Sequence, residues 1–262
     1  MKRAHLVGNR GCLGTYIEKT LTPLIPVVPY NTETFDITDK SKNELIDVQP
    51  GDIVIWNAAY TNVSDNDIGK HFAVNVEPLK RLIKDMPPVH FIYISSLYCQ
   101  EDISHLSAYS QTKSIAETIV KSHFDIWNII RFSGLIGYDP GRKNMLYQFI
   151  DKEEINLNGY LSTSIVYAGN IATWILRTII QQQPELIEIG SVTTFTKHAV
   201  LFEAEKQTDH NITCGVTSED NEPDPLRPEQ AYPKEGTTYL YDGEKEIQAA
   251  VADILAQEED SE

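Results

Sequence analysis

Short apolar runs alternate along the chain with longer stretches of helical period. "RAHLVG" (3–8), "LIPVV" (24–28), "DIVIWNAAY" (52–60), "HFIYISS" (90–96), "DIWNIIRFSG" (125–134) and "ELIEIGS" (185–191) read as six strands. Between them apolar positions recur every three or four residues, from Leu13 onward, over 66–84 and over 107–121, and a last helix is predicted at about 243–257. Strands that alternate with helices pair in parallel and carry cover on both faces. The pattern therefore predicts an α/β fold, a Rossmann-like doubly wound parallel sheet with a small C-terminal lobe. Residues 1–134 read as the main core and 135–262 as a smaller lobe interleaved with the last core strands. After about residue 135 glycine, proline and polar residues become denser, and "TSEDNEPDPLRPEQAYPKEG" (217–236) lacks any period, as a long surface loop does.

Composition narrows the function classes. The 262 residues are 41% hydrophobic, enough for a sizeable core, and no run approaches the roughly 18 apolar residues of a membrane span. The opening "MKRAHLVGNRGCLG" breaks into glycines before a signal-peptide core could form, so a cytoplasmic protein without a membrane partner is expected. The net charge is −16, of which residues 218–262 carry −11. Such an acidic balance repels a phosphate backbone and argues against nucleic acid as partner. Cys12, Cys99 and Cys214 are odd in number and far apart, which fits reduced structural thiols and neither a disulfide framework nor a metal site.

"GNRGCLG" places Gly8, Gly11 and Gly14 directly after the first strand and at the head of the first helix. Glycines there allow a tight turn and close backbone approach, and a helix N-terminus offers free N–H groups to a pyrophosphate. Gly8, Asn9, Arg10, Gly11, Cys12, Leu13 and Gly14 are thus the candidate dinucleotide cradle. At the end of the second strand "VVPYNTET" (27–34) lacks an early acid for the ribose hydroxyls, with Glu33 arriving late. That leaves room for a 2′-phosphate, which Arg10 could pair with, so NADP(H) is favoured and NAD(H) is the alternative. "SAYSQTKSIAE" (107–117) holds Tyr109 and Lys113 four residues apart, but Tyr241 and Lys245 repeat the spacing, so spacing alone decides nothing. A phenol can deliver a proton to a carbonyl oxygen. Its ordinary pKa of about 10 makes a nearby ammonium useful, because that charge favours the phenolate.

Taken in order, "GNRGCLG", "WNAAY" (56–60), "ISS" (94–96) and Tyr109-x-x-x-Lys113 resemble the extended short-chain dehydrogenase/reductase superfamily. "DITD" (36–39), "IVIWNAAYTNVSDND" (53–67), "AVNV" (73–76), "IIRFSGLIG" (129–137) and "IEIGSVTTFTKHAVL" (187–201) look like its dTDP-4-dehydrorhamnose reductase branch. The resemblance implies an NAD(P)-dependent oxidoreductase that reduces a nucleotide-linked 4-keto-6-deoxy sugar, with core 1–134 binding NAD(P) and lobe 135–262 binding substrate. It implies that Ser96, Tyr109 and Lys113 are catalytic, Ser96 being preferred over Ser95 by register. Tyr109 and Lys113 would also touch the cofactor, together with Asn57, Ala58 and Ala59. Thr61, Val63, Ser96 and Tyr109 would face the substrate, and Asn75 would support the site. No metal is implied, and a homodimer is allowed.

Two departures qualify the resemblance. "LYCQ" follows Ser96 where dehydratase relatives carry an Asp-Glu pair, so dehydratase chemistry is not supported. Gly134 in "RFSG" stands where the reductase branch typically has Trp, which leaves the sugar's identity open. Two alternatives stay in play: a nucleotide-sugar epimerase using the same Ser/Tyr/Lys set, and a non-catalytic dinucleotide-binding regulatory subunit.

Overall fold

The computed structural model describes residues 2–42, 45, 47–99, 107–139, 146, 150, 163–208 and 237–259. Cys214 and the proline-rich segment 217–236 lie outside them. The elements are β1 Ala4–Val7, α1 Cys12–Leu21, β2 Val27–Tyr30, β3 Ile53–Trp56, α2 Ile68–Asn75, α3 Glu77–Ile83, β4 His90–Ser96, a 3-10 turn Leu97–Cys99, α4 Ala108–His123, β5 Ile126–Phe132 and β6 Gly134–Ile136. They continue with β7 Thr163–Tyr167, α5 Ala168–Gln181, β8 Glu185–Ser191, β9 Thr194–Phe195, α6 Lys197–Glu205, β10 Thr237–Tyr241 and α7 Gly243–Glu259. No helix among the described residues is long and apolar enough to cross a membrane.

Seven strands form one sheet in the order β10-β8-β5-β4-β3-β1-β2, and every pairing in it is parallel. This is the doubly wound sheet that the pattern predicts. Its strands are apolar on both faces because helices cover both. Ile55, Ile92 and Ile94 pack with Ile17 of α1 and Ile171 and Ile175 of α5 on one side. Trp56, Phe91 and Tyr93 pack with Leu79 and Leu82 of α3 and Val120 of α4 on the other. Full burial of each such side chain stabilises by about 1.5–3 kcal/mol. The chain order reverses between β1 and β3, and the carboxyl ends of strands at such a point are where open α/β sheets bind ligands.

Three boundaries differ from the pattern. The second strand falls at 27–30, where Pro29 is tolerated because β2 is an edge strand. The third strand stops at Trp56, and residues 57–60 leave the sheet as a loop. The 66–84 stretch breaks at Val76, just ahead of Pro78 in the first turn of α3. The later half supplies β8 and β10 to the main sheet and forms a second sheet, β6-β7-β9. That sheet shares a core with α6 and α7 through Ile136, Ile165, Leu201, Ile247 and Val251.

Candidate active site

The glycine loop is built by mutual close packing. Gly8 takes φ +90°, a conformation that favours glycine, and a Cβ there would stand 2.7 Å from the Ala58 amide nitrogen. At Gly14 a Cβ would meet the Asn9 carbonyl at 2.6 Å and collide with Gly8 O. The loop is also tied from both neighbouring strands. Gly8 N–H donates to Tyr30 O at 2.8 Å, the Asn57 and Ala58 amides donate to Val7 O at 2.9 Å, and Asn57 Nδ2 donates to Gly8 O at 2.8 Å. Asn57 and Ala58 thus brace the cradle, while Ala59 is half-buried in the loop beyond them.

Gly11 differs from its two partners. It is the N-cap of α1 in ordinary extended conformation, and a Cβ there would meet nothing within 4 Å. No side chain caps the helix and no acid occupies its first turn, so its free N–H groups and positive dipole end are open to an anion. These features fit a dinucleotide pyrophosphate. Cys12 and Leu13 turn their side chains into the core and can offer a ligand only backbone. Burial pushes the Cys12 thiol up to about 12, which removes it as a nucleophile. Asn9 is engaged by Glu18 at 2.9 Å and Asn31 at 3.2 Å. Arg10 forms an exposed ion pair with Glu33, so the late acid after β2 does reach the loop.

Ser96, Tyr109 and Lys113 come together at the carboxyl edge of the sheet, two strands from the glycine loop. Ser96 ends β4, and α4 returns across the sheet with Ser107 as its N-cap, accepting from Ser110 N–H at 3.3 Å. Tyr109 and Lys113 are one turn apart on the buried face of that helix, at 8% and 2% exposure. The Tyr109 phenol faces Ser96. Burial holds that phenol above its ordinary range, with Ser96 pulling the other way, so it keeps its proton near neutrality. Lys113 Nζ donates to Ile94 O at 2.7 Å and lies 5.9 Å from the centre of the Tyr109 ring. Burial lowers the Lys113 ammonium to about 8, so it is the charged form that is present at neutral pH.

The other candidates divide. Asn75, 1% exposed, accepts from Tyr60 N–H at 2.7 Å and donates to Tyr60 O at 3.2 Å and Thr112 Oγ1 at 3.1 Å. It ties the loop after β3 to the helix that carries Tyr109. On that loop Thr61 is exposed and Val63 half-buried. Tyr241 accepts from Trp174 Nε1 at 2.7 Å, while Lys245 is exposed beside Asp242 at 3.8 Å, so the second Tyr/Lys pair is structural.

Three features had no usable signal in the sequence. Ser95 donates to Glu117 at 2.5 Å, which turns it away from Tyr109 and leaves Ser96 as the serine at the phenol. Arg131 binds Glu117 with two bonds of 2.8 Å and Glu188 at 3.0 Å, all buried. His71, fully buried, donates through Nε2 to Asp65 O at 2.9 Å, and its ring lies 6.0 Å from that of Tyr109. A carbonyl oxygen only accepts, so Nε2 carries the proton.

The model of the family described as RmlD substrate binding domain matches residues 2–159. No curated protein matches the chain. Among solved structures, dTDP-4-dehydrorhamnose reductase from Bacillus anthracis in complex with NADP is 18% identical, covers 96% of this chain and 99% of its own, and superposes with a TM-score of 0.78. A dTDP-4-dehydrorhamnose reductase from Clostridium acetobutylicum is 19% identical over 97% and 99%, with a TM-score of 0.71. UDP-glucose 4-epimerase from Thermus thermophilus, in complex with NAD, is 15% identical over 97% and 99%, with a TM-score of 0.73.

Proposed function

Because the chain belongs to the RmlD substrate binding domain family, we propose that it is an NAD(P)H-dependent reductase of a nucleotide-linked 4-keto-6-deoxy sugar. The observation that carries this reading is the buried Tyr109 phenol, facing Ser96 with Lys113 one turn on, on the same sheet edge as an open glycine loop. When bound, a reduced nicotinamide supplies hydride to a carbonyl carbon. The chain's own residues do the rest. Tyr109 holds a proton at its phenol oxygen and delivers it to the carbonyl oxygen. Ser96 orients that oxygen by a second hydrogen bond. The Lys113 ammonium stabilises the phenolate that Tyr109 becomes, which lowers the cost of proton release in a buried site.

Gly11 and the first turn of α1 would cradle the pyrophosphate, with Ala58 and Ala59 alongside. NADP(H) is the dinucleotide we favour, its 2′-phosphate displacing Glu33 from Arg10. The Arg10–Glu33 pair is the specific observation on the side of NAD(H), since Glu33 could take the ribose hydroxyls instead. Thr61 and Val63 would line the sugar side, and the lobe built on β6, β7 and β9 would cover it. The test is a screen of dTDP-, UDP- and GDP-linked 4-keto sugars, following nicotinamide absorbance with each cofactor. Net NADPH consumption supports a reductase. Interconversion of sugars with cofactor retained through purification would make the chain an epimerase.

A further inference from the structure

Beside Ser96 the fold lines up a second set of hydroxyls that the proposed reaction does not use. Tyr98 stands on the 3-10 turn after β4, and its backbone N–H donates to Ser96 Oγ at 3.3 Å. Ser96 pairs in register with Phe132 of β5, so Ser133 leaves the same sheet edge one residue on, about one strand spacing of 4.8 Å to the side. Thr163 opens β7, which pairs with β6 directly after Ser133. Tyr98 Oη lies 3.4 Å from Thr163 Oγ1, Thr163 Oγ1 3.0 Å from Ser133 Oγ, and Ser133 Oγ 2.7 Å from Ser164 O. Tyr98, Ser133 and Thr163 are all half-buried. Gly134 makes the row possible. A Cβ there would stand 2.8 Å from Ser164 O and 2.9 Å from Thr163 Cγ2, so any side chain at 134 would push Thr163 away from Ser133.

The row has a direction. A carbonyl oxygen only accepts, so Ser133 spends its single hydrogen on Ser164 O. Ser133 must then accept from Thr163, which spends its own hydrogen in turn, and Tyr98 must donate to Thr163. Hydrogen bonds that run one way reinforce one another. Tyr98 Oη is left with lone pairs alone, and among the described residues no group donates to it. We propose that Tyr98 is a specificity-determining residue: its phenol oxygen accepts a hydrogen bond from a free hydroxyl on the sugar ring that carries the ketone. Ser96, which orients the carbonyl oxygen, is two residues away and bonded to the Tyr98 backbone, so the contact falls on that same ring. A deoxy carbon would leave the Tyr98 oxygen without a donor, and a group that can only accept would face it lone pair to lone pair. The proposal rests on the functional reading for the ligand being a keto sugar, but the direction of the row stands without it.

The test is a panel of nucleotide-linked 4-keto sugars and their reduced forms, in which each ring hydroxyl in turn is replaced by hydrogen or by fluorine. It is offered to wild type, Tyr98→Phe and Thr163→Val, reading kcat/KM by nicotinamide absorbance and Kd by calorimetry with dinucleotide present. In wild type one position should matter, its deoxy and fluoro analogues losing roughly 10- to 100-fold in both readouts. Tyr98→Phe keeps the ring and removes the acceptor, so it should take the hydroxylated and deoxy sugars alike. Thr163→Val takes away the acceptor for the Tyr98 hydrogen and lets Tyr98 donate, so it should bind the fluoro analogue better relative to the deoxy one, a reordering that a purely structural role would not produce. No preference at any position in wild type, a preference that survives in Tyr98→Phe, or wild-type selectivity in Thr163→Val would overturn the proposal. A chain that binds these sugars with the Tyr98-dependent preference but reduces none of them counts against the functional reading alone, and one that binds none of them counts against both.

Discussion

Adding one methyl group at Gly14 and, separately, at Gly11 should weaken dinucleotide binding in both cases but lower stability only at Gly14. At Gly14 the new Cβ would stand 2.6 Å from the Asn9 carbonyl carbon and against Gly8 O. Those are backbone atoms, so the loop itself must move. Overpacking of this kind costs about 1–3 kcal/mol, which for a chain of this size corresponds to a drop in Tm of about 2–12 °C. The displaced loop should also lose NADPH. At Gly11 the backbone is at φ −78° and ψ 165°, which alanine adopts freely, and the methyl meets no protein atom within 4 Å. Stability should change by no more than about 0.5 kcal/mol. The methyl would instead occupy the space in which the pyrophosphate approaches the backbone, and a tenfold rise in Kd for NADPH corresponds to about 1.4 kcal/mol of lost contact. Thermal denaturation and titration of each variant with NADPH and NADH separate the two effects. A Gly11→Ala protein that binds dinucleotide like wild type would refute the cradle, and a Gly14→Ala protein of wild-type Tm would refute the close packing.

Three further outcomes are expected. Ser96→Ala should lower kcat by about 100-fold with little change in Tm, whereas Ser95→Ala, which strips a hydrogen bond from buried Glu117, should cost about 1–3 kcal/mol of stability and much less rate; kinetics and melting curves on both variants check the assignment. Glu33→Gln frees Arg10 and should raise the preference for NADPH over NADH several-fold, while Arg10→Ala should reverse it, as paired Kd measurements would show. Burial depresses the Lys113 ammonium, so its charge is present below about pH 8 and lost above it; kcat/KM should fall on the alkaline side with a midpoint near 8, and a profile flat to pH 10 contradicts that role.

How much was legible in the sequence depends on what each stretch had to encode. The β4 and β8 runs were found with their observed limits because continuous apolar side chains in a doubly covered sheet leave a strong pattern. The glycine loop was legible because close backbone approach admits few other residues. The second sheet was missed because β6 and β9 are three and two residues long, too short to show a period. Helix α4 shows the harder limit. Its buried face carries Tyr109, Thr112, Lys113 and Glu117, so its polar pattern resembles a solvated helix, and order along the chain marked Tyr109 and Lys113 as the functional pair. Order gave no hint of Glu117, since its partner Arg131 is 14 residues away and Arg131's other carboxylate, Glu188, 57 residues beyond that, and the three meet only once β4, β5 and β8 are side by side.

The central claim is that Tyr109 gives the proton in a reduction driven by NAD(P)H. It is tested most directly by comparing wild type with Tyr109→Phe in a nicotinamide absorbance assay on nucleotide-linked 4-keto sugars, alongside cofactor titrations. Wild type should oxidise one nicotinamide per sugar reduced, and Tyr109→Phe should bind NADPH as wild type does while kcat falls by about 10²–10⁴-fold. A Tyr109→Phe protein that reduces the sugar at the wild-type rate would contradict the account.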